Sequence, residues 1–274
     1  MTTSIHTNAS ALVALQNLNR TNEQLAATQS RVNTGLKVQG AKDNAAVWAV
    51  AQGQRADKGS LEAVTTSLNR ATSIADVSLA AGQQISDLLI ELKQKATAAS
   101  EPSATQATRD SYNSEFQSLL ESIQSFADNA IFDGANILDG TIVAPLDFLA
   151  NANATETISL SPQDMTLVGL GLDGLDLTSE ANADAALTAV TAAITTSSGR
   201  LAELGAAAKQ IERHTVFVSK LSDSLESGIG NLVDADLAKE SARLQALQVQ
   251  QQLGVQALSI ANQAPQVILS LFQG

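Results

Sequence analysis

Residues 244–274, LQALQVQQQLGVQALSIANQAPQVILSLFQG, contain no Asp, Glu, Lys, Arg or His. Apolar side chains recur there at helical spacing (Leu244, Leu247, Val255, Leu258, Ala261), but they are set among nine glutamines, and Gly254 interrupts the run. A membrane span needs ~20 predominantly apolar residues, and in hydrocarbon every primary amide would require its own hydrogen-bond partner. A single amphipathic helix in water keeps little helicity unless a surface covers its stripe. The segment is therefore incomplete alone, and copies of the same chain are the obvious partners.

The opposite end of the chain has a matching pattern. From Leu15 onward, Leu18, Leu25 and Val32 form one series at intervals of seven; Leu15, Asn22, Gln29 and Leu36 form another. Leu237, Leu244, Gln251 and Leu258 repeat the interval near the C-terminus. Polar residues at inner heptad positions weaken association while fixing register. Two terminal seams of similar length are expected to pair with each other. Leu18, Leu25, Val32, Leu36, Leu237, Leu244 and Leu258 are the candidate self-assembly residues.

Charge divides the chain in the same way. Residues 1–42 carry +3 (Arg20, Arg31, Lys37 and Lys42 against Glu23) and residues 230–274 carry −1, which leaves −14 of the net −12 to residues 43–229. Near-neutral ends can pack against many copies of one another, whereas a strongly acidic middle is a solvated outer surface that disfavours nucleic acid. Aromatics are 3% of the chain and much of its 44% apolar content is Ala, a composition for long, closely approaching helices. There is no cysteine, so neither disulfides nor thiolate chemistry is available. The N-terminus lacks the basic and apolar regions of a secretory signal.

Between the ends, Asn33-Thr34-Gly35 and Gln39-Gly40 are turn signals. Helical spacing resumes at Asp43 and runs through Leu61, Val64, Leu68, Ala71, Ala75, Ile85, Leu88, Leu92 and Ala96 to a stop at Ser100-Glu101-Pro102-Ser103, a helix of roughly 80 Å. A second, antiparallel helix is expected to bury Tyr112, Phe116, Leu119, Ile123 and Phe126. Two Asp-Gly turns follow in IFDGANILDG (131–140), then two short strands, Leu146–Leu149 and Glu156–Leu160, forming a hairpin. Another long helix runs from Leu187 to Leu225, and Gly228 and Gly230 are read as a joint before the terminal seam.

No enzyme chemistry is legible. Gly169-Leu170-Gly171-Leu172-Asp173-Gly174 matches G-x-G-x-x-G, but Asp173 would put a carboxylate in a phosphate cradle and no helix opens behind it, so it is read as a loop. Only two histidines exist: His6 near the N-terminus, and His214, expected to be solvated on its helix. Nothing pairs an acid with a base in a cleft, Asp173 and Asp176 lack the further oxygen ligands of a calcium loop, and no catalytic residue, metal or cofactor is expected.

Over nearly its whole length the sequence also resembles bacterial flagellin, in particular the short flagellins of alphaproteobacteria. The resemblance is carried by Ala11-Leu12, Leu15–Asn19 and Ser30–Val38 running into Ala41–Ala46. It continues in Asn136–Gly140, Asp234–Ser241 and Gln256–Gln263, and ends at Leu271-Phe272. It implies a mainly α fold of long antiparallel helical rods, a terminal coiled-coil pair plus a three-helix core, with a small β-hairpin region. It implies residues 1–42 and 230–274 as the two parts of an inner coiled-coil domain, and 43–229 as a helical core domain with the hairpin at about 141–178.

The same resemblance implies a structural subunit that polymerises into the flagellar filament for swimming, exported without a cleaved signal by a type III apparatus to an extracellular location. Its partners would be other flagellin subunits, hook-associated junction and cap proteins, and an export chaperone, with no nucleic acid and no membrane insertion. The outer domains of larger flagellins are absent, because the chain passes from Ile158 directly to the helical repeat at Leu187. At Ile90, flagellins detected by the toll-like innate receptor carry Arg, which implies poor recognition by that receptor. A minor or junction-type flagellin and a cytoplasmic coiled-coil adaptor stand as alternatives.

Overall fold

The computed structural model describes the backbone of residues 8–271 and side chains up to residue 263. His6 and Phe272 lie outside the described residues. Among the described residues, six helices and one two-stranded sheet follow in the order α1 (Ala9–Thr34), α2 (Ala45–Ala99), α3 (Gln106–Asn129), β1 (Leu146–Leu149), β2 (Thr157–Leu160), α4 (Leu167–Leu170), α5 (Glu180–Val233) and α6 (Leu237–Leu271). By contact density the chain divides into two units. One comprises residues up to Ala56 and from Leu225 onward, the other Asp57–Ser224.

In the unit formed by Asp57–Ser224, α2 buries Leu61, Val64, Leu68, Ala71, Ala75, Ser78, Ile85, Leu89, Leu92, Ala96 and Ala99. With the buried Gly82, these fall at alternating steps of three and four. α5 does the same with Ala183, Ala186, Val190, Ala193, Ser197, Leu204, Ile211 and Val218. A mean interval of 3.5 residues sustained this long is the pattern of left-handed coiled packing. Small residues on these stripes let the backbones approach: a β-carbon at Gly82 would lie 2.5 Å from Leu201 Cδ2.

α3 turns one residue away from the expected register. Phe116, Leu120, Ile123 and Ala127 are buried, Leu119 is half-buried and Phe126 is 40% exposed. The buried stripe keeps the three-four alternation, with Leu120 and Ala127 taking the places read for Leu119 and Phe126. The polar side of α3 is occupied too. Asn113 Oδ1 accepts from Leu177 N–H, Gln124 Oε1 accepts from Leu167 N–H, and Gln117 Nε2 donates to the Leu175 carbonyl. These amides satisfy the backbone of an irregular loop that would otherwise be unpaired.

Both Asp-Gly pairs of 131–140 are turns, with Asp133, Gly134 and Gly140 at positive φ, the conformation that glycine adopts without strain. β1 and β2 pair antiparallel with Phe148 opposite Ile158, as the strand reading expected. His214 is half-buried rather than freely solvated. Its Nε2 lies 2.6 Å from the Ala150 carbonyl, which places the proton on Nε2, and its ring packs at 5.7 Å on Phe217. The glycine pattern at 169–174 begins in the last two residues of the one-turn α4, which Thr166 caps and Gly171 closes in the left-handed conformation, and continues as a loop.

In the other unit α1 ends at Gly35, whose φ of 72° and N–H to the Arg31 carbonyl form a left-handed cap. The joint expected at Gly228 and Gly230 lies further on. α5 continues through both glycines to Val233, and the break falls at Asp234-Ala235-Asp236. Helix propensity loses here to packing, because Ile229 and Val233 are buried with Val38 and Ala51 in a small core flanked by Leu36, Val47, Trp48 and Leu232. Backbone bonds fasten the two connections together. Lys37 N–H and Val38 N–H both donate to the Val233 carbonyl, and Ala235 N–H donates to that of Gly35.

Candidate functional site

The terminal helices α1 and α6 lie against each other. They run antiparallel, since Asn8 Nδ2 donates to the Ala261 carbonyl at one end while Arg31 meets Glu240 at 3.4 Å at the other. Between them Gln251 Nε2 donates to Asn22 Oδ1 at 2.7 Å, and Gly254 leaves space that Leu18 enters. The protected side of α1 is Ala11, Ala14, Leu18, Thr21, Leu25, Thr28 and Val32; that of α6 is Glu240, Leu244, Leu247, Gln251, Gly254, Leu258 and Ala261. Both alternate three and four.

Leu18, Leu25, Val32, Leu244 and Leu258 therefore lie on the side of each helix turned to the other. The partner series expected for α1 is less protected: Leu15 is 42% exposed, and Gln29 and Asn22 are exposed even though Asn22 reaches Gln251 across the pair, while Ala14, Thr21 and Thr28 take the inner place. Small residues here bring the helices closer than leucines would. Leu36 lies beyond α1, in a backbone bridge with Asp234. Leu237, in the first turn of α6, is 50% exposed, and Glu240 takes the first inner position instead. Sequence reading missed Thr21, Thr28, Glu240 and Gly254. A search for alternating steps of three and four, indifferent to polarity, would have found them.

The electrostatics grade along this pair. Residues 9–19 of α1 and 244–263 of α6 contain no ionisable side chain, whereas the end nearest the joint holds Arg31, Lys37, Asp234, Asp236, Lys239, Glu240 and Arg243. Arg31 and Glu240 are 30% and 12% exposed in their side chains, and Glu240 Oε2 is buried with no hydrogen-bond partner among the described residues. An acceptor in that state makes its single cation essential.

The seam accounts for only part of the apolar surface. Leu12 (53%), Val13, Leu15, Val249, Leu253 (58%), Val255 and Ile260 (69%) all remain exposed, and all lie in the uncharged half. A groove of about 580 Å³ runs beside the seam between Ala14, Leu18, Thr21, Leu253, Gly254 and Ala257. Exposed apolar side chains gathered on one helix pair point to protein association. Among the described residues no helix is long and apolar enough to cross a membrane, and no group of three His, Cys, Asp or Glu side chains is placed to hold a metal ion.

Residues 5–142 match the sequence profile of the bacterial flagellin N-terminal helical region, and residues 187–272 that of the bacterial flagellin C-terminal helical region. Flagellin FljM of Caulobacter vibrioides is 50% identical, the match covering 98% of both chains. A flagellin of Brucella melitensis is 40% identical over 99% of both. Among solved structures, Bacillus cereus flagellin matches with a TM-score of 0.42 and 20% identity, covering 64% of this chain and 93% of that one.

Proposed function

Because the chain belongs to the bacterial flagellin family, we infer that it is a structural subunit of the flagellar filament and acts in swimming by polymerising with copies of itself. The observation that carries this reading is the uncharged half of the α1–α6 pair, with Leu12, Val13, Leu253 and Ile260 exposed around a seam whose own buried residues are few. Buried residues on it are Thr21, Thr28 and Leu247. At ~1–2 kcal/mol of backbone entropy per ordered residue, so thin an interface holds two helices only marginally. Neighbouring copies that cover the outer apolar side chains would supply the remaining driving force, ~25 cal/mol for each Å² withdrawn from water.

On this reading Leu18, Leu25, Val32, Leu244 and Leu258 make the pair that neighbours recognise, Leu36 fastens its base, and Leu237 takes part in contacts between copies. Residues 1–42 and 230–274 together serve as the polymerising domain, and 43–229 as the acidic outer layer. The subunit is exported by a type III route to an extracellular filament, with an export chaperone before assembly and junction and cap proteins at the filament ends. Neither nucleic acid nor membrane has a part in this scheme.

Electron microscopy of purified protein after seeding with short filament fragments tests the reading. Growth of helical filaments is expected from the full chain, and none from chains lacking residues 1–42 or 230–274. Undiminished growth from either truncated chain would overturn it. An adaptor that stays in the cytoplasm would instead form a closed oligomer of fixed size, unresponsive to seeds.

A further inference from the structure

We propose that Asp173–Gly174 is a self-modification site, at which the chain isomerises its own backbone to isoaspartate. The described residues include three Asp-Gly pairs: Asp133-Gly134, Asp139-Gly140 and Asp173-Gly174. In such a pair the glycine nitrogen can reach the preceding side-chain carboxyl, because no β-carbon shields the approach. A bond forms between the Gly nitrogen and Asp Cγ, a carboxyl C–O bond breaks, and the amide proton leaves with that oxygen as water. The resulting five-membered imide takes back one water. Opening at Cγ restores aspartate; opening at the main-chain carbonyl carbon routes the backbone through Cγ. Mass and charge are unchanged, and no oxidant, reductant or enzyme enters the balance.

The three pairs differ in what holds the carboxyl. Asp133 Oδ2 is 2.8 Å from Arg70 Nε, so this carboxyl must leave its ion pair before it can turn to the glycine nitrogen. Asp139 Oδ1 accepts from both Thr141 N–H (2.9 Å) and Thr141 Oγ (2.7 Å). Among the described residues nothing donates to the Asp173 carboxylate, and the Gly174 N–H has no backbone acceptor. Both residues are exposed. Nucleophile and electrophile are therefore adjacent and unoccupied at this pair.

The flanks confine the consequence. Leu172 and Leu177 are fully buried, Leu172 N–H donates to Leu167 and Gly171 N–H to Val168, and Asp176 is tied to Thr178 and Asn182. An added main-chain methylene at residue 173 is taken up within 173–176, without moving the core. Gly174, at φ 68°, is the last glycine of the G-x-G-x-x-G pattern, and this reactivity gives the pattern a chemistry other than phosphate binding.

The test is to age the purified full-length protein in oxygen-18 water at neutral pH and map its peptides by tandem mass spectrometry. Each passage through the imide leaves one heavy oxygen in the residue. Label and isoaspartate are expected at 173 well ahead of 133 and 139. Asp173→Glu, which cannot close the five-membered ring, should remove the signal there while the unfolding profile is unchanged. Arg70→Leu should raise labelling at 133. No labelling at 173, or labelling there no faster than at 133 and 139, would overturn the proposal. The assay needs no filament, so its outcome is independent of the assembly reading.

Discussion

Leu18 Cδ1 lies 3.2 Å from the point where a β-carbon on Gly254 would stand, so the side chain of one terminal helix occupies the gap left by a missing side chain on the other. Gly254→Ala sets two effects against each other: about 1 kcal/mol gained in helix propensity and a Leu18 that must yield by a few tenths of an ångström. The net is expected near zero. Gly254→Leu has no such balance and should cost ~1–3 kcal/mol by overpacking. Filament yield should fall with Gly254→Leu and recover in part when Leu18→Ala is added. Equal yields from all three chains would refute the notch.

Leu244→Asp places a charge on the α1-facing side of α6, in a stretch with no cation from residue 244 to 263. An unpaired charge withdrawn from water is expected to abolish polymerisation altogether. Limited proteolysis should still yield a resistant fragment within Asp57–Ser224. Filaments formed at wild-type yield would remove Leu244 from the assembly surface.

Among the described residues Arg31 is the one hydrogen-bonding partner of the Glu240 side chain, whose second oxygen is already unsatisfied. Arg31→Leu should therefore lower the melting temperature of assembled filaments by more than the ~1.5–3 kcal/mol loss of a charged hydrogen bond alone suggests. Arg31→Leu with Glu240→Leu should be milder than either single change, because no buried charge is left behind. A double variant worse than both singles would contradict this.

Asp176 predicts a pH effect with a definite sign. Its carboxyl is held below the ordinary range first by the Thr178 hydroxyl, then by Asn182 and the Thr178 N–H. A depressed folded-state pKa contributes stability that is present above the unfolded value of ~3.9 and is lost as pH falls through the folded value. Asp176→Asn should thus loosen the start of α5 at neutral pH, read by faster amide exchange around Ser179–Ala183. The gap from wild type should close at strongly acidic pH; a gap that widens with acid would be the wrong sign.

Ile90 is 49% exposed on α2, where flagellins detected by the toll-like receptor carry Arg. Monomer should elicit a weak response in a receptor reporter line, and Ile90→Arg should raise it. A full response from the unchanged chain would refute the assignment.

Much of this fold is legible in the sequence because heptad spacing is a strong local signal. Leu61, Val64, Leu68, Ala71, Ala75, Ile85, Leu92, Ala96, Phe116, Ile123 and the β1–β2 hairpin stand where periodicity and turn chemistry place them, while Leu89 rather than Leu88 takes the buried place on α2. Errors arose where a polar or small residue took an inner position. Ala14, Thr21 and Thr28 take the inner places read for Leu15, Asn22 and Gln29, and Ala127 takes the one read for Phe126. Gly228 and Gly230 were misread as a joint because a glycine's local cost is visible in sequence while the burial of Ile229 and Val233 is not. His214 was misread because its partner, the Ala150 carbonyl, is 64 residues away.

The carbonyl of Val233, holding the amides of Lys37 and Val38, is the datum from which both terminal helices are measured. One residue inserted within the last turn of α1 would advance the rest of that helix by about 1.5 Å and turn it by about 100° relative to that point. Leu12 and Val13 would swing to a new compass bearing while every side chain stayed chemically intact. The angular phase of the outer apolar face is thus written at the foot of the helices, far along the chain from the side chains that display it.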